Sequence, residues 1–152
     1  MVERRFSARV EIARGPGEVF DWVADYRNAS LALEGVSRWR PLTGRTRGPG
    51  ARFEVSMEVL GVPLENVLVL DLWDRPRAIG WRSESGLVPQ TGRWRFEPCD
   101  EGTAVSLTIA YRPPGGALGS LVLARADDLV RGRLRHALER MKVTIEAGDG
   151  AG

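Results

Sequence analysis

Few side chains in this sequence are of the types that carry out nucleophilic or acid–base chemistry. The chain of 152 residues has one cysteine and one histidine. Cys99 follows Pro98 in a predicted turn and has no histidine near it in sequence to activate its thiol. His136 lies two residues from both Leu134 and Leu138, about 200° around a helix from each, and therefore on the polar side. Neither residue is predicted to be catalytic.

One asparagine stands where an apolar residue is expected. Asn66 interrupts the apolar face of a predicted strand whose other members are Leu64, Leu68, Leu70 and Leu72. Burying an amide costs free energy unless the amide is hydrogen-bonded. Two explanations remain open: the side chain bonds to backbone near Gly61, or it orients a carbonyl group of a ligand.

Several classes of site are excluded by residue type and spacing. A single cysteine and a single histidine rule out a Cys/His zinc site, and neither a metal nor a cofactor is predicted. Gly15-Pro16-Gly17 lacks the Lys-Ser/Thr pair of a phosphate-binding loop. The 22 basic residues, nearly all arginine, are dispersed among 20 acidic ones, and the net charge is only +2. A nucleic-acid partner is therefore not predicted, because such proteins usually concentrate their basic residues on one face.

The length and the composition indicate one globular domain. We expect a single domain over residues 1–147 and a disordered tail over residues 148–152, which has nothing to bury. No apolar run approaches the ~20 residues that a membrane span needs. The first residues lack the apolar segment of a signal peptide, so a cytoplasmic location is expected.

The elements that would position a site follow from two periodicities. Residues 4–12 alternate apolar and polar, as in a half-buried strand, and a short helix is predicted to end near Asp25. A second short helix is predicted around Ala29 to Leu33. From Val36 to Arg112 the chain is predicted to form consecutive strands with short turns, which favours an antiparallel sheet. Alternation directs Arg82, Arg93 and Arg95 to the outer face, whereas Trp39, Trp81 and Trp94 are either core or a ligand platform.

The period becomes helical near the C-terminus. From about Leu118 to Ala147, apolar residues recur every three or four positions and predict one amphipathic helix about 42 Å long. Such a helix must lie across the whole sheet. A curved sheet wrapped on one helix tends to leave an apolar cavity between them, which is a ligand site by default.

The sequence resembles the START-like, helix-grip superfamily (SRPBCC), and within it the polyketide cyclase/dehydrase and lipid-transport group. The matching stretches are Val10 to Ala13, Gly17 to Asp25, Asp74 to Arg77, Gly92 to Pro98, Gly102 to Val105, Tyr111 to Gly119 and Leu134 to Glu146. The resemblance implies an α+β fold in which a curved antiparallel sheet of about seven strands wraps a long C-terminal helix, with two short helices after the first strand. Family cyclases use pocket Arg and Tyr residues, but the corresponding strand here contains Val67 to Asp71 and no arginine.

The predicted function is binding of an apolar, lipid-like or polyketide-like molecule between the sheet and the C-terminal helix. The residues predicted to line that cavity share the apolar face of their elements: Phe53, Val55, Met57, Leu68, Leu70, Trp81, Trp94, Tyr111, Leu129 and Met141. The alternative is an aromatase/cyclase that acts on a poly-β-keto chain, for which Asn66, Ser83 and Tyr111 are the catalytic candidates. A second alternative is a module that binds a macromolecular partner.

Overall fold

The structure, a computed structural model, describes residues 3–28, 36–59, 61–86, 88–112 and 116–148. Its strands are β1 (Arg4–Ile12), β2 (Val36–Pro41), β3 (Arg52–Val59), β4 (Val62–Asp74), β5 (Ala78–Gly86), β6 (Gln90–Cys99) and β7 (Gly102–Tyr111). Its helices are α1 (Pro16–Ala24) and α2 (Gly116–Ala147). The second predicted short helix, at residues 29–33, and residues 149–152 of the predicted tail lie outside the described residues.

The seven strands form one antiparallel sheet in the order β1-β7-β6-β5-β4-β3-β2. Strands β2 to β7 follow one another as a meander, so each pairs with its neighbour in sequence. Strand β1 pairs instead with β7, with Arg4 opposite Tyr111 and Ile12 opposite Thr103. One face of the sheet, called the inner face below, carries the core, which confirms the alternation that the sequence predicts.

Helix α2 lies along β1 and closes the inner face. Its buried stripe is the predicted one, with Leu134, Leu138, Met141 and Ile145 all at most 5% exposed. Its C-terminal end is held to the chain just after β1, where the Arg14 guanidinium donates a hydrogen bond of 2.8 Å to the Glu146 carbonyl oxygen. The helix begins two residues earlier than predicted. The arrangement is the helix-grip fold that the sequence predicts.

A β-bulge in β4 changes which side chains face inward. Leu70 pairs with Trp81, but Leu72 pairs with Gly80, so the register shifts by one residue between them. Side chains alternate along a strand, and an extra residue therefore moves the following ones to the opposite face. The prediction that Leu72 shares the apolar face of Leu70 is wrong: Leu72 is 36% exposed. Trp73 faces inward in its place.

Candidate functional site

Helix α1 covers one end of the inner face. Pro16 starts it at a position where the missing N–H group costs no hydrogen bond. Val19 and Phe20 are fully buried. The Phe20 ring meets Trp73 edge-on at 5.3 Å and Phe96 at 5.6 Å between centroids, which is a favourable geometry for aromatic pairs. These contacts seat α1 on β4 and β6.

Beneath α1 lies a small cavity walled by all five tryptophans of the chain. We call the cavity and its walls the tryptophan box, and its volume is about 50 Å³. The sheet and the loop after β2 contribute Trp39, Thr46, Phe53, Leu70, Trp73, Ile79, Trp81 and Trp94, while α1 and the helical residues after Asp25 contribute Trp22, Val23, Ala24 and Tyr26.

The aromatic rings of the tryptophan box contact one another in tilted or perpendicular orientations, so they do not fill the space between them. Trp39 and Trp81 are nearly perpendicular, at 87° and 6.2 Å between centroids. Phe53 contacts both Trp39 and Tyr26, at 6.0 and 5.6 Å. Gly92 makes room for Trp81, because a Cβ atom at Gly92 would lie 2.1 Å from the indole Cζ2 atom. The Trp81 ring is therefore packed directly on the β6 backbone at Gly92.

The described walls of the box contain hydrogen-bond donors but no charged group. The indole Nε1 atoms of Trp39 and Trp81 are buried and have no hydrogen-bond partner in the part of the chain that the structure describes. Thr46 and the Tyr26 hydroxyl group are the other polar side-chain groups among these walls. A buried charge without a partner is costly, so this lining favours a neutral ligand with acceptor atoms.

Asn66 lies on the inner face of β4 but is not among the residues that line the box. It is only 3% exposed, and neither its Oδ1 nor its Nδ2 atom has a hydrogen-bond partner among the described residues. The backbone hydrogen bond near Gly61, one of the two explanations left open by the sequence, is therefore absent from those residues. Asn66 pairs with Val55 on one side and with Gly86 on the other.

The other two catalytic candidates have internal partners. The Ser83 Oγ atom accepts a hydrogen bond of 2.9 Å from the Gln90 backbone N–H. The Tyr111 hydroxyl group donates a hydrogen bond of 3.2 Å to Oδ1 of Asp127 on α2, and Arg4 binds the other oxygen of the same carboxylate. Burial, followed by the charge of Asp127, raises the pKa of Tyr111 to about 12. Tyr111 therefore stays protonated at neutral pH and is engaged in fastening α2 to the sheet.

The structure brings together four of the ten residues predicted to line a ligand cavity: Phe53, Leu70, Trp81 and Trp94. Val55, Leu68 and Met141 are buried in the core, and Met57, Tyr111 and Leu129 are half-buried. None of the α2 residues whose side chains the structure describes lines the box. The cavity predicted between the sheet and the C-terminal helix therefore remains a prediction.

Sequence reasoning missed the walls that α1 and the bulge supply. Trp22 lies on α1 and Tyr26 in the helical residues that follow Asp25, and only the tertiary docking of this region places them over β3 and β4. The helical spacing of Val19, Phe20 and Val23 was the available signal, since an apolar stripe on a short helix must cover something. Trp73 was missed because the bulge in β4, which the sequence pattern does not reveal, turns it to the inner face.

A surface ion pair ties α1 to the turn between β4 and β5. Both oxygens of the Asp21 carboxylate accept hydrogen bonds from the Arg75 guanidinium, each at 2.9 Å. The hydrogen bond from Arg75 lowers the pKa of Asp21. Both side chains are about half exposed, so the pair is screened by solvent. The contact orients α1 without locking it.

A second, open cleft lies at one end of strands β5, β6 and β7, where Ser83 is found. Its volume is about 200 Å³, and both polar and apolar residues line it: Glu3, Arg82, Ser83, Pro89, Gln90, Thr91, Ala110 and Arg112.

No set of three His, Cys, Asp or Glu side chains in the described ranges lies close enough to share a metal ion. No helix in those ranges is both long enough and apolar enough to cross a membrane.

Solved structures share this fold at low sequence identity. The protein TTHA0849 of Thermus thermophilus superposes with a TM-score of 0.79 at 21% identity, covering 96% of this chain and 98% of that one. The Zhui aromatase/cyclase from Streptomyces sp. R1128 gives 0.64 at 22% identity, with coverages of 96% and 90%. The di-domain aromatase/cyclase BexL from the BE-7585A biosynthetic pathway gives 0.71 at 20% identity; the match covers 97% of this chain and 51% of BexL.

No curated protein sequence matches the chain. The family model described as "Polyketide cyclase / dehydrase and lipid transport" matches residues 3–146, which is nearly the whole chain. The match includes every strand described above, helix α1 and all but the last residue of α2. The chain therefore belongs to the polyketide cyclase/dehydrase and lipid transport family.

Proposed function

We propose that the protein binds a neutral, predominantly apolar ring compound in the tryptophan box. The observation that carries the proposal is the convergence of all five tryptophans on one gap, two of them with buried and unpartnered indole N–H groups, within the described part of the chain. A core that only stabilised the fold would fill this gap, since protein interiors are close-packed. Aromatic walls with a few directed polar groups are typical of small-molecule sites.

The size of the box requires movement on binding. A water molecule needs about 10–15 Å³ on this measure, and an engineered cavity that binds benzene measures about 150 Å³. A box of about 50 Å³ thus holds only a few water molecules as it stands. On the sheet side, Trp81 is packed against Gly92. We therefore expect α1 to move on binding, and this movement must stretch or break the solvent-screened ion pair between Arg75 and Asp21.

Thermal unfolding with a matched pair of probes tests the proposal. Indane is a neutral bicyclic hydrocarbon, and indane-2-carboxylate has the same rings with a charge. At about 100 times its Kd, a ligand stabilises the native state by about 2.7 kcal/mol, which raises the Tm of a domain of this size by about 5–11 °C. We expect indane to raise the Tm and indane-2-carboxylate to leave it unchanged at pH 7.

A variant in which a larger side chain fills the box supplies the control. Ala24 is 5% exposed and lines the box, so Ala24→Leu places three further carbon atoms near the gap. Ala147→Leu makes the same chemical change on the exposed end of α2. Indane should stabilise the Ala147→Leu protein as it does the wild type, and it should not stabilise the Ala24→Leu protein. Equal shifts in both variants, or none in the wild type, would contradict binding in the box.

A second candidate function is cyclisation of a poly-β-keto chain in the same site. It is supported by the family and by the likeness in fold to the Zhui and BexL aromatase/cyclases. Catalysis would then consist mainly of orienting a flexible chain, with a polar group such as Asn66 assisting enolisation. Incubation with a linear poly-β-keto chain decides the question: product ratios identical to those of the uncatalysed reaction leave the binding function alone.

A further inference from the structure

We propose that the open cleft at one end of β5, β6 and β7 binds a phosphate group. It is called the arginine cleft below, for its wall residues Arg82 and Arg112. None of its described walls belongs to the tryptophan box, and its volume is about 200 Å³ against about 50 Å³ for the box. An engineered cavity that binds benzene measures about 150 Å³, so the arginine cleft has room for a phosphate and the small organic group that carries it.

The floor of the cleft is a row of cross-strand neighbours on the outer face of the sheet, which is the face opposite the inner one. Arg82 on β5 pairs with Thr91 on β6, and Thr91 pairs with Ala110 on β7. Trp81 faces the tryptophan box, so the side chain that follows it points the other way. Ala110 has the smallest side chain of the row and is only 5% exposed. A small residue beside longer ones leaves a hollow.

The two arginines approach this hollow from different directions. Arg82 lies two strands from Ala110, about 10 Å away across the sheet. Arg112 lies two residues beyond Ala110, about 7 Å further along the chain. The Arg112 backbone N–H donates a hydrogen bond of 3.0 Å to the Pro89 carbonyl oxygen, which holds this residue in the wall. Two long side chains can therefore reach one anion between them.

Arg82 and Arg112 have no partner in the part of the chain that the structure describes. Neither guanidinium group forms a hydrogen bond or an ion pair with a residue of those ranges. Arg93, on the same face of the sheet, differs in this respect: it donates hydrogen bonds of 2.9 Å to the Trp81 carbonyl oxygen and of 3.1 Å to the Asp71 carboxylate. The N–H donors of the two cleft arginines are therefore available to a ligand.

The acidic side chains beside the cleft are bound to other arginines. Glu3 lines the cleft, and its Oε1 atom accepts a hydrogen bond of 3.1 Å from Arg5. Glu84 comes two residues after Arg82, and both of its carboxylate oxygens lie 3.0 Å from Nε of Arg52. This corner of the sheet thus holds four arginines and two acids. The excess of two positive charges equals the net charge of the whole chain, +2.

This excess of charge defines the ligand. A guanidinium group presents its N–H donors in a fork that matches the oxygens of phosphate and carboxylate groups. A phosphate monoester carries a charge of about −1.5 to −2 at pH 7, whereas a carboxylate carries a single negative charge, so phosphate complements the cleft better. The Ser83 and Thr91 hydroxyl groups are further possible donors in the wall. Glu3 remains an acceptor there, which suits a hydroxyl group on the organic part of the ligand.

Isothermal titration calorimetry at pH 8 and constant ionic strength tests the proposal. A Tm shift is unsuitable as the readout, because phosphate salts stabilise proteins in general by exclusion from their surface. The probes are inorganic phosphate, glycerol 3-phosphate and acetate. We expect the wild-type protein to bind glycerol 3-phosphate at least as tightly as inorganic phosphate, and to bind acetate at least tenfold more weakly, because one charge-assisted hydrogen bond is worth about that factor.

Substitution of single arginines locates the site. Arg82→Gln and Arg112→Gln each keep a polar side chain and remove one charge, and each should weaken glycerol 3-phosphate binding about tenfold. Arg95→Gln is the matched control. Arg95 is likewise exposed and without a partner within the described ranges, but it lies outside the cleft. We expect Arg95→Gln to bind glycerol 3-phosphate as the wild type does.

The possible results separate the site from general charge attraction. An equal loss of affinity in Arg95→Gln, or unchanged affinity in both cleft variants, overturns the proposal, as does the failure of both phosphate probes to bind. Acetate that binds as tightly as phosphate overturns the choice of a doubly charged group. Tighter binding of inorganic phosphate than of glycerol 3-phosphate supports the site with free phosphate as its ligand, and the reverse order supports a phosphate ester.

Discussion

Gly92 lies directly beneath the indole ring of Trp81, and this contact allows a quantitative prediction. An added Cβ atom at Gly92 would lie 2.1, 2.3 and 2.4 Å from three atoms of the indole ring. Carbon atoms attract one another best at about 3.5–4.0 Å, so the ring must retreat by about 1.4 Å. Trp81 is 4% exposed and is held by Trp39 on its other side. We therefore expect Gly92→Ala to overpack the sheet side of the tryptophan box.

The expected cost lies at the upper end of the range for overpacked cores, about 3 kcal/mol. The reason is that β6 is paired with strands on both sides and its backbone cannot withdraw. For a domain of this size the corresponding fall in Tm is about 6–12 °C. Urea unfolding followed by circular dichroism should show a lower midpoint with an unchanged slope.

A double-mutant cycle assigns the effect to the Trp81 ring. In a Trp81→Leu background, Gly92→Ala should change the free energy of unfolding by less than about 0.5 kcal/mol, because no ring remains to be displaced. Gly44→Ala provides the control, since a Cβ atom there meets nothing within 4 Å. A Gly92→Ala protein as stable as wild type, or an equal loss in the Trp81→Leu background, would refute the reasoning.

Three further outcomes follow from contacts described above. Gly132→Ala in α2 should raise the free energy of unfolding by about 0.5–1 kcal/mol in urea titrations, because the position is helical and a Cβ atom there meets open space. Arg4 lowers the pKa of Asp127, so Asp127→Asn should lower the Tm at pH 7 in calorimetry. That difference should shrink below about pH 4, because a depressed carboxyl pKa stabilises only above the unfolded value. In a Tyr26→Phe protein, the absorbance of tyrosinate should appear with a pKa of about 12, and stability should fall as the pH rises from about 10 to 12, because the folded state holds the Tyr111 proton more tightly.

The periodic parts of the fold were predictable because burial is periodic. The alternation from Phe53 to Met57 and the stripe from Leu134 to Ile145 are confirmed strand and helix faces. Strand β1 pairs with β7 rather than with its neighbour in sequence, and residue patterns alone do not specify that partner. Periodicity thus identifies elements and faces, whereas the order of strands depends on long-range contacts.

The walls of the tryptophan box were less predictable, for two physical reasons. One extra residue in β4 reverses the faces of Leu72 and Trp73, and a bulge of this kind leaves no mark in the apolar–polar pattern. The side chains of Trp22 and Tyr26 reach the box through the docking of α1, which is a tertiary contact. Asn66 was recognisable as an anomaly in sequence, but its lack of a partner among the described residues is a property of the packed structure.

The pairing of β1 with β7 has a consequence for synthesis of the chain. The first pair in this ladder to become available joins Ile12 to Thr103, so β1 has no strand partner until about 90 more residues have been made. At ribosomal rates of about 5–20 residues per second, this interval lasts about 5–20 seconds. During it, β1 carries Phe6 and Ile12 with no sheet to bury them. The meander from β2 to β7 can form from local contacts as the chain is made. We therefore expect β1 to be the last of the seven strands to join the sheet.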